Sequence, residues 1–259
     1  QQPGGCTPGT GGGSASPSSA ATATATATEG ATAAASPSAT STVTRALQNA
    51  EWRSRRRLLG LPGRRFQRPP QRAGSVRGGP SRHQSSFGTS TTKAEGVPLT
   101  VTLTLLDNAN GCAPLAGAAV YAWHCDKDGK YSLYDSGIEN ENYLRGVQEA
   151  DANGQLTFST IYPPGAYNGR WPHIHFEVFE SMSNTSTAGQ VLAVSQIALT
   201  ETACKEVYAT SGYESSARNF PNTTLTSDNV FGDDGGIYQL ATMSGSVAGG
   251  YTAALNVTV

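Results

Sequence analysis

From residue 97 to the C-terminus, apolar and polar positions alternate in short runs. Leu99, Val101, Leu103 and Leu105 are separated by Thr100, Thr102 and Thr104, the period of two expected of a strand with one buried face. Asn108-Ala-Asn-Gly111 follows as a turn, and 118–125 reads as the returning strand. Further strands are predicted over 154–161, 173–180, 191–200 and 251–259, with Gly, Pro, Asn or Ser between them. Arg145-Gly-Val-Gln148 and Asp151-Ala-Asn-Gly154 read as turn and strand-start elements, and 181–189 as a loop. Short strands at this spacing imply an all-β fold, a two-sheet β-sandwich forming one domain over 96–259.

The chain ahead of that domain lacks the pattern. Residues 1–42 are Ala, Thr, Ser, Gly and Pro with one charge, Glu29, and include an Ala-Thr repeat. So little apolar bulk does not offset the entropy of ordering, which predicts a disordered low-complexity tether. Between Arg45 and Arg82 stand eleven Arg against the single acid Glu51, about +10 locally. From 96 onward six basic residues face sixteen acidic ones, so the net charge of -1 averages two opposed halves. Three readings of the Arg-rich 43–95 segment stay open: a disordered solvated linker, an arm for anionic polymers, or an out-of-frame stretch. Nucleic acid is not the expected partner of the domain.

Four residues between 131 and 175 carry the candidate chemistry. In a strand, residues two apart share a face, so His173 and His175 can turn both imidazoles to one centre. Two imidazoles alone suit zinc, copper, nickel or iron, whereas the phenol oxygens of Tyr131 and Tyr167 are hard donors that favour a hard, high-valent ion. Two tyrosinates and one hydroxide would neutralise Fe(III) and allow partial burial. Against this stand ordinary readings: a zinc or surface His pair, and tyrosines that only pack. A zinc hydrolase built on His124, His173 and His175 is a further alternative.

The stretch 111–178, with Trp123-His-Cys-Asp126, Gly129-Lys-Tyr131-Ser132, Arg145-Gly-Val-Gln148, Pro164-Gly-Ala-Tyr167 and Arg170-Trp-Pro-His-Ile-His175, resembles the intradiol ring-cleavage dioxygenases, specifically their secreted branch. The resemblance implies a β-sandwich with Fe(III) between its sheets, held by Tyr131, Tyr167, His173 and His175. Tyr131 and His173 would be equatorial, and Tyr167 and His175 axial. It implies that Tyr167 yields to a catechol-type diol and takes a phenolic proton. Arg170 would stabilise negative charge, and Gln196 would line the pocket. The expected reaction is intradiol cleavage by O2 to a cis,cis-muconate-type product. Two departures bear on pocket shape: Tyr121 stands where secreted members often have an acid, and Ala122 where they have a larger aliphatic. The Thr-Glu-Gly-Pro-Tyr-Tyr-like segment that helps cover such sites has no counterpart ahead of residue 97, which predicts an open site.

The four cysteines, Cys6, Cys112, Cys125 and Cys204, define no framework: Cys112 and Cys125 would lie roughly 23 Å apart along the proposed hairpin at 3.3 Å per residue, beyond disulfide reach, and Cys112 with Cys204 is one pairing that stays open. No apolar run reaches membrane-spanning length. The start at Gln1 and the tether are read as those of a mature exported protein, extracellular or tethered at the cell surface. Sequons stand at Asn184, Asn222 and Asn256. A non-catalytic secreted β-sandwich binding module is the alternative from another functional class.

Overall fold

The computed structural model describes Cys6 and residues 81–86, 90–165, 167–186 and 191–259. The tether expected at 1–42, apart from Cys6, and residues 43–80 of the Arg-rich segment lie outside the described residues. Among the described residues ten strands form two sheets: β1 (Ser81–Arg82), β2 (Pro98–Asp107), β3 (Ala113–Pro114), β4 (Ala119–Trp123), β5 (Arg145–Glu149), β6 (Gln155–Ile161), β7 (His173–Phe179), β8 (Val191–Ala198), β9 (Thr242–Ser246) and β10 (Gly250–Thr258). One sheet runs β1-β6-β2-β10-β9 with β3 on β2, and the other runs β5-β4-β7-β8.

The alternation in β2 does what its period predicts. Leu99, Val101, Leu103 and Leu105 are buried while the threonines between them are half-exposed. They pack with Val120, Phe158, Ile174, Phe176, Val178 and Ile197 between the sheets, each such side chain contributing about 1.5–3 kcal/mol on burial. β10 pairs with β2 in parallel, Tyr251 opposite Leu99 through Thr258 opposite Leu106, so the last strand closes the domain beside its first long one.

Several expectations need correction. Arg145-Gly-Val-Gln148 is not a turn but the strand β5, paired antiparallel with β4. The all-β two-sheet expectation holds, the fold being mostly β with few helices, and α1 (Glu201–Tyr208) and α2 (Glu214–Asn219) follow β8. Ala203, Cys204, Val207 and Tyr208 form the buried stripe of α1.

The domain also starts earlier than residue 96. β1 pairs in parallel with β6, His83 is buried, and its backbone oxygen accepts from Leu144 N at 2.6 Å. Ser86 and Ser90 Oγ donate to Glu141 Oε2 at 2.6 and 2.5 Å, and Thr92 Oγ1 to Oε1 at 3.0 Å. Residues 81–86 and 90–95, assigned above to the Arg-rich segment, are therefore fastened to the sandwich. Cys112 is bridged not to Cys204 but to Cys6, with Cα atoms 5.8 Å apart, while Cys125 and Cys204 are free and buried. Among the described residues no helix is long and apolar enough to cross a membrane.

Candidate metal centre and active site

β7 delivers both histidines, and its two-residue period brings His173 Nε2 and His175 Nε2 to 3.1 Å. Trp171 O lies 2.5 Å from His173 Nδ1. A carbonyl only accepts, so Nδ1 carries the hydrogen and Nε2 presents its lone pair. Burial, then the charge of Arg170, lowers the His173 pKa to about 4. Burial, then His173 itself, holds His175 well below the ordinary value. Both rings are therefore neutral, with nitrogens available as donors. The His175 ring lies nearly flat against the indole of Trp123, centroids 5.0 Å apart and planes 7° apart.

Tyr131 reaches in from the loop after β4, its oxygen 3.4 Å from His175 Nε2. Its backbone N donates to Asp135 Oδ2 at 2.5 Å. The edge of one tyrosine ring meets the face of the other across 5.7 Å between Tyr131 and Tyr167. Tyr167 opens a 3-10 turn, Tyr167–Gly169, in which Asn168 is left-handed at φ 50° and ψ 35°, a costly conformation for a residue other than glycine. Gly129 makes room for it: a Cβ there would lie 2.8 Å from Tyr167 Cδ2. Gly165 sits tight against the helical segment instead, since a Cβ there would stand 2.7 Å from Tyr208 Cε2.

Burial raises the pKa of both phenols. Cys125 and Tyr167 add to the effect at Tyr131, where Arg145 opposes it; Asp135 adds at Tyr167, where Asn168 opposes it. Without a cation both phenols keep their protons.

The fold brings Arg170 and Gln196 together. Arg170 Nη2 donates to Gln196 Oε1 at 2.7 Å, and Gln196 lies opposite His175 across β7 and β8. Asp228, which sequence reasoning missed, completes the arrangement. Its Oδ2 accepts from Arg170 Nε at 2.8 Å and Trp171 N at 2.6 Å, while Oδ1 accepts from Val230 N and Phe231 N. Burial would raise its pKa, but the bonds from Arg170 and Trp171 prevail and hold it below the usual carboxylate range. Of the six predicted site residues His173 is buried and the other five are half-buried.

His124 does not join the cluster. Its Nδ1 lies 2.7 Å from Cys125 O and its Nε2 2.7 Å from Thr160 Oγ1, so both nitrogens are committed elsewhere. Among the described residues no group of three or more His, Cys, Asp or Glu is arranged to hold a metal, which removes the three-histidine zinc arrangement. A mixed Tyr/His set fits an ion better. Two nitrogens each about 2.1 Å from one metal, at a right angle, stand about 3.0 Å apart, close to the 3.1 Å seen. His173 Nε2 presents its lone pair toward His175 Nε2, with the Tyr131 oxygen 3.4 Å from the latter, and a hard cation could take the place of the proton between them.

The family model described as Dioxygenase matches residues 75–192. A chlorocatechol 1,2-dioxygenase of Pseudomonas sp. (strain P51) is 34% identical over 83 residues, 26% of this chain and 33% of that protein; the chain thus spans about a third of the length of this curated relative. The solved intradiol ring-cleavage dioxygenase of Tetranychus urticae has a TM-score of 0.56 at 26% identity, covering 74% of this chain and 90% of that one. A second solved dioxygenase has a TM-score of 0.56 at 25% identity, over 73% and 89% of the two chains.

Proposed function

We propose, for a chain that stands by family match and fold with the intradiol ring-cleavage dioxygenases, that it uses O2 to open a catechol-type ring between the two hydroxylated carbons, giving a cis,cis-muconate-type product. Ring cleavage of catechols and the use of non-haem iron are properties of that family. For this chain the proposed ion is Fe(III) and the proposed ligands are Tyr131, Tyr167, His173 and His175. The observation that carries the reading is that His175 Nε2 lies 3.1 Å from His173 Nε2 and 3.4 Å from the Tyr131 oxygen.

When bound, ferric iron would draw in both oxygens of the diol and make the ring reactive toward O2. The protein's own groups do the rest. Tyr167, half-exposed on its turn, would be a tyrosinate when it holds the ion, and on swinging aside its oxygen could then take a phenolic proton from the diol. Arg170, fixed through Nε and Nη2, is positioned to meet negative charge developing on the opening ring. The backbone oxygen of Trp171 keeps His173 in the donor tautomer. An extracellular or cell-surface location forms part of the proposal, supported by the Cys6–Cys112 bridge, since disulfides persist in oxidising compartments.

The visible spectrum of the iron-loaded protein, before and after anaerobic catechol, tests this. A tyrosinate-to-iron band that shifts with catechol, followed by oxygen uptake and a ring-opened product by mass spectrometry, is the expected result. A protein that stays colourless with iron and does not respond to catechol would overturn it.

A further inference from the structure

Arg145 occupies one end of a row of side chains that crosses the whole four-stranded sheet. Arg145 lies opposite Trp123, Trp123 opposite His175, and His175 opposite Gln196. Directly paired residues share a sheet face. At the Gln196 end the row grips Arg170. At the other end Arg145, only 7% exposed, grips the loop that bears Tyr131.

Its Nε donates to Ser132 O at 3.2 Å and to Ser132 Oγ at 3.1 Å, and its Nη2 to Ser132 O at 3.0 Å. Nη1 donates to the Tyr121 hydroxyl at 3.3 Å. Ser132 is the residue after Tyr131, and its Oγ donates to Tyr143 O at 2.7 Å. The guanidinium carbon lies 5.9 Å from the Tyr131 ring centroid and 5.0 Å from that of Tyr134. Tyr131 therefore comes from a loop, while the histidine it approaches comes from a strand two places across the sheet from Arg145. A rigid fork with several donors can hold such a loop in register with a sheet.

We propose that Arg145 is the positioning residue for Tyr131, fixing the loop to the row so that the phenol oxygen meets His175 Nε2. The inference rests on the ferric-site reading for its colour and rate readouts, and on the loop geometry alone for its chemical one.

The test compares the full chain with Arg145→Ala and Arg145→Lys, with Arg145→Gln as the substitute if alanine does not fold by thermal melting. In Arg145→Ala the tyrosinate band per bound iron weakens or shifts, and kcat with catechol falls about 10²-fold while KM stays within about threefold. Methylguanidinium partly restores the band, and Arg145→Lys does not, because an ammonium cannot span the same acceptors. In the metal-free proteins, tetranitromethane modifies Tyr131 faster in Arg145→Ala than in the parent, as mapped by peptide mass spectrometry. An unchanged band per iron together with unchanged Tyr131 nitration would overturn the proposal. A colourless parent combined with faster nitration in the variant would instead remove the ferric reading and leave the positioning role standing.

Discussion

Replacing Asp228 by alanine tests how far the site depends on one carboxylate. Its side chain is 0% exposed and that of Arg170 14%, so the pair is screened little by solvent. Alanine would strand a largely buried guanidinium and leave the N–H groups of Trp171, Val230 and Phe231 without their acceptor. Removing one partner of a buried ion pair costs about 3–5 kcal/mol. With a urea m-value of about 2 kcal/mol/M, the unfolding midpoint should fall by about 2 M. Asparagine keeps one acceptor and loses the charge, so its cost should be about 1.5–3 kcal/mol. Because the lowered Asp228 pKa means stability is lost as pH falls through the carboxylate range, the gap between parent and Asp228→Asn should close in acid. Urea titrations of the three proteins at neutral and acidic pH supply the numbers. An alanine variant within about 1 kcal/mol of the parent, the range of exposed pairs, would refute the claim that this pair organises the loop beside Arg170.

Two further outcomes follow from groups outside the ligand set. Burial lowers the pKa of His83 from 6.5 to about 3 and that of His124 from 6.5 to about 4. Their stabilisation is therefore present above pH 6.5 and lost as pH falls from there toward the folded values, by up to about 1.4 kcal/mol per pH unit for each group. Urea midpoints that stay level from pH 7 to 5 would exclude buried neutral imidazoles at these positions. Gly129→Ala puts a Cβ 2.8 Å from the Tyr167 ring and imposes φ +82° on a side-chain-bearing residue. It should cost about 1–2 kcal/mol and shift the tyrosinate band of the iron-loaded protein, whereas an unaltered spectrum would show that Tyr167 does not depend on that space.

The strands whose faces see different solvents were legible in the chain. β2 alternates Leu or Val with Thr, and β7 carries its histidines at the period that puts them on one side. α1 was missed although its buried stripe of Ala203, Cys204, Val207 and Tyr208 has helical spacing, because a Val/Tyr-containing stretch after a β-rich run reads equally as strand. β5 was hidden for a related reason: Arg145 is a buried charge, and pattern reading places charges in turns or on surfaces. The Cys6–Cys112 bridge spans 106 residues, and spacing in sequence does not report which cysteines meet in space. The motifs around Tyr131, Tyr167, Arg170, His173, His175 and Gln196 named the candidate residues, and the fold places His173 and Tyr131 beside His175 and Arg170 beside Gln196. Asp228, 58 residues beyond Arg170, could be found only from the fold.

The candidate ligands differ in how firmly the protein holds them, and the difference bears on how such a site could work. The histidines sit on a strand paired on both sides by β4 and β8. Tyr131 is on a loop, but one tied to Arg145 through Ser132. Tyr167 has neither support: it sits on a short turn with a left-handed Asn168, half-exposed, its ring edged against Tyr131 and backed by the bare Cα of Gly129. Movement at Tyr167 would break no strand ladder, whereas movement at His173 or His175 would disturb two. On the proposed reading, an incoming diol that displaced one protein oxygen would meet least resistance at Tyr167, and the row from Arg145 to Gln196 would keep the other donors in place while it did so.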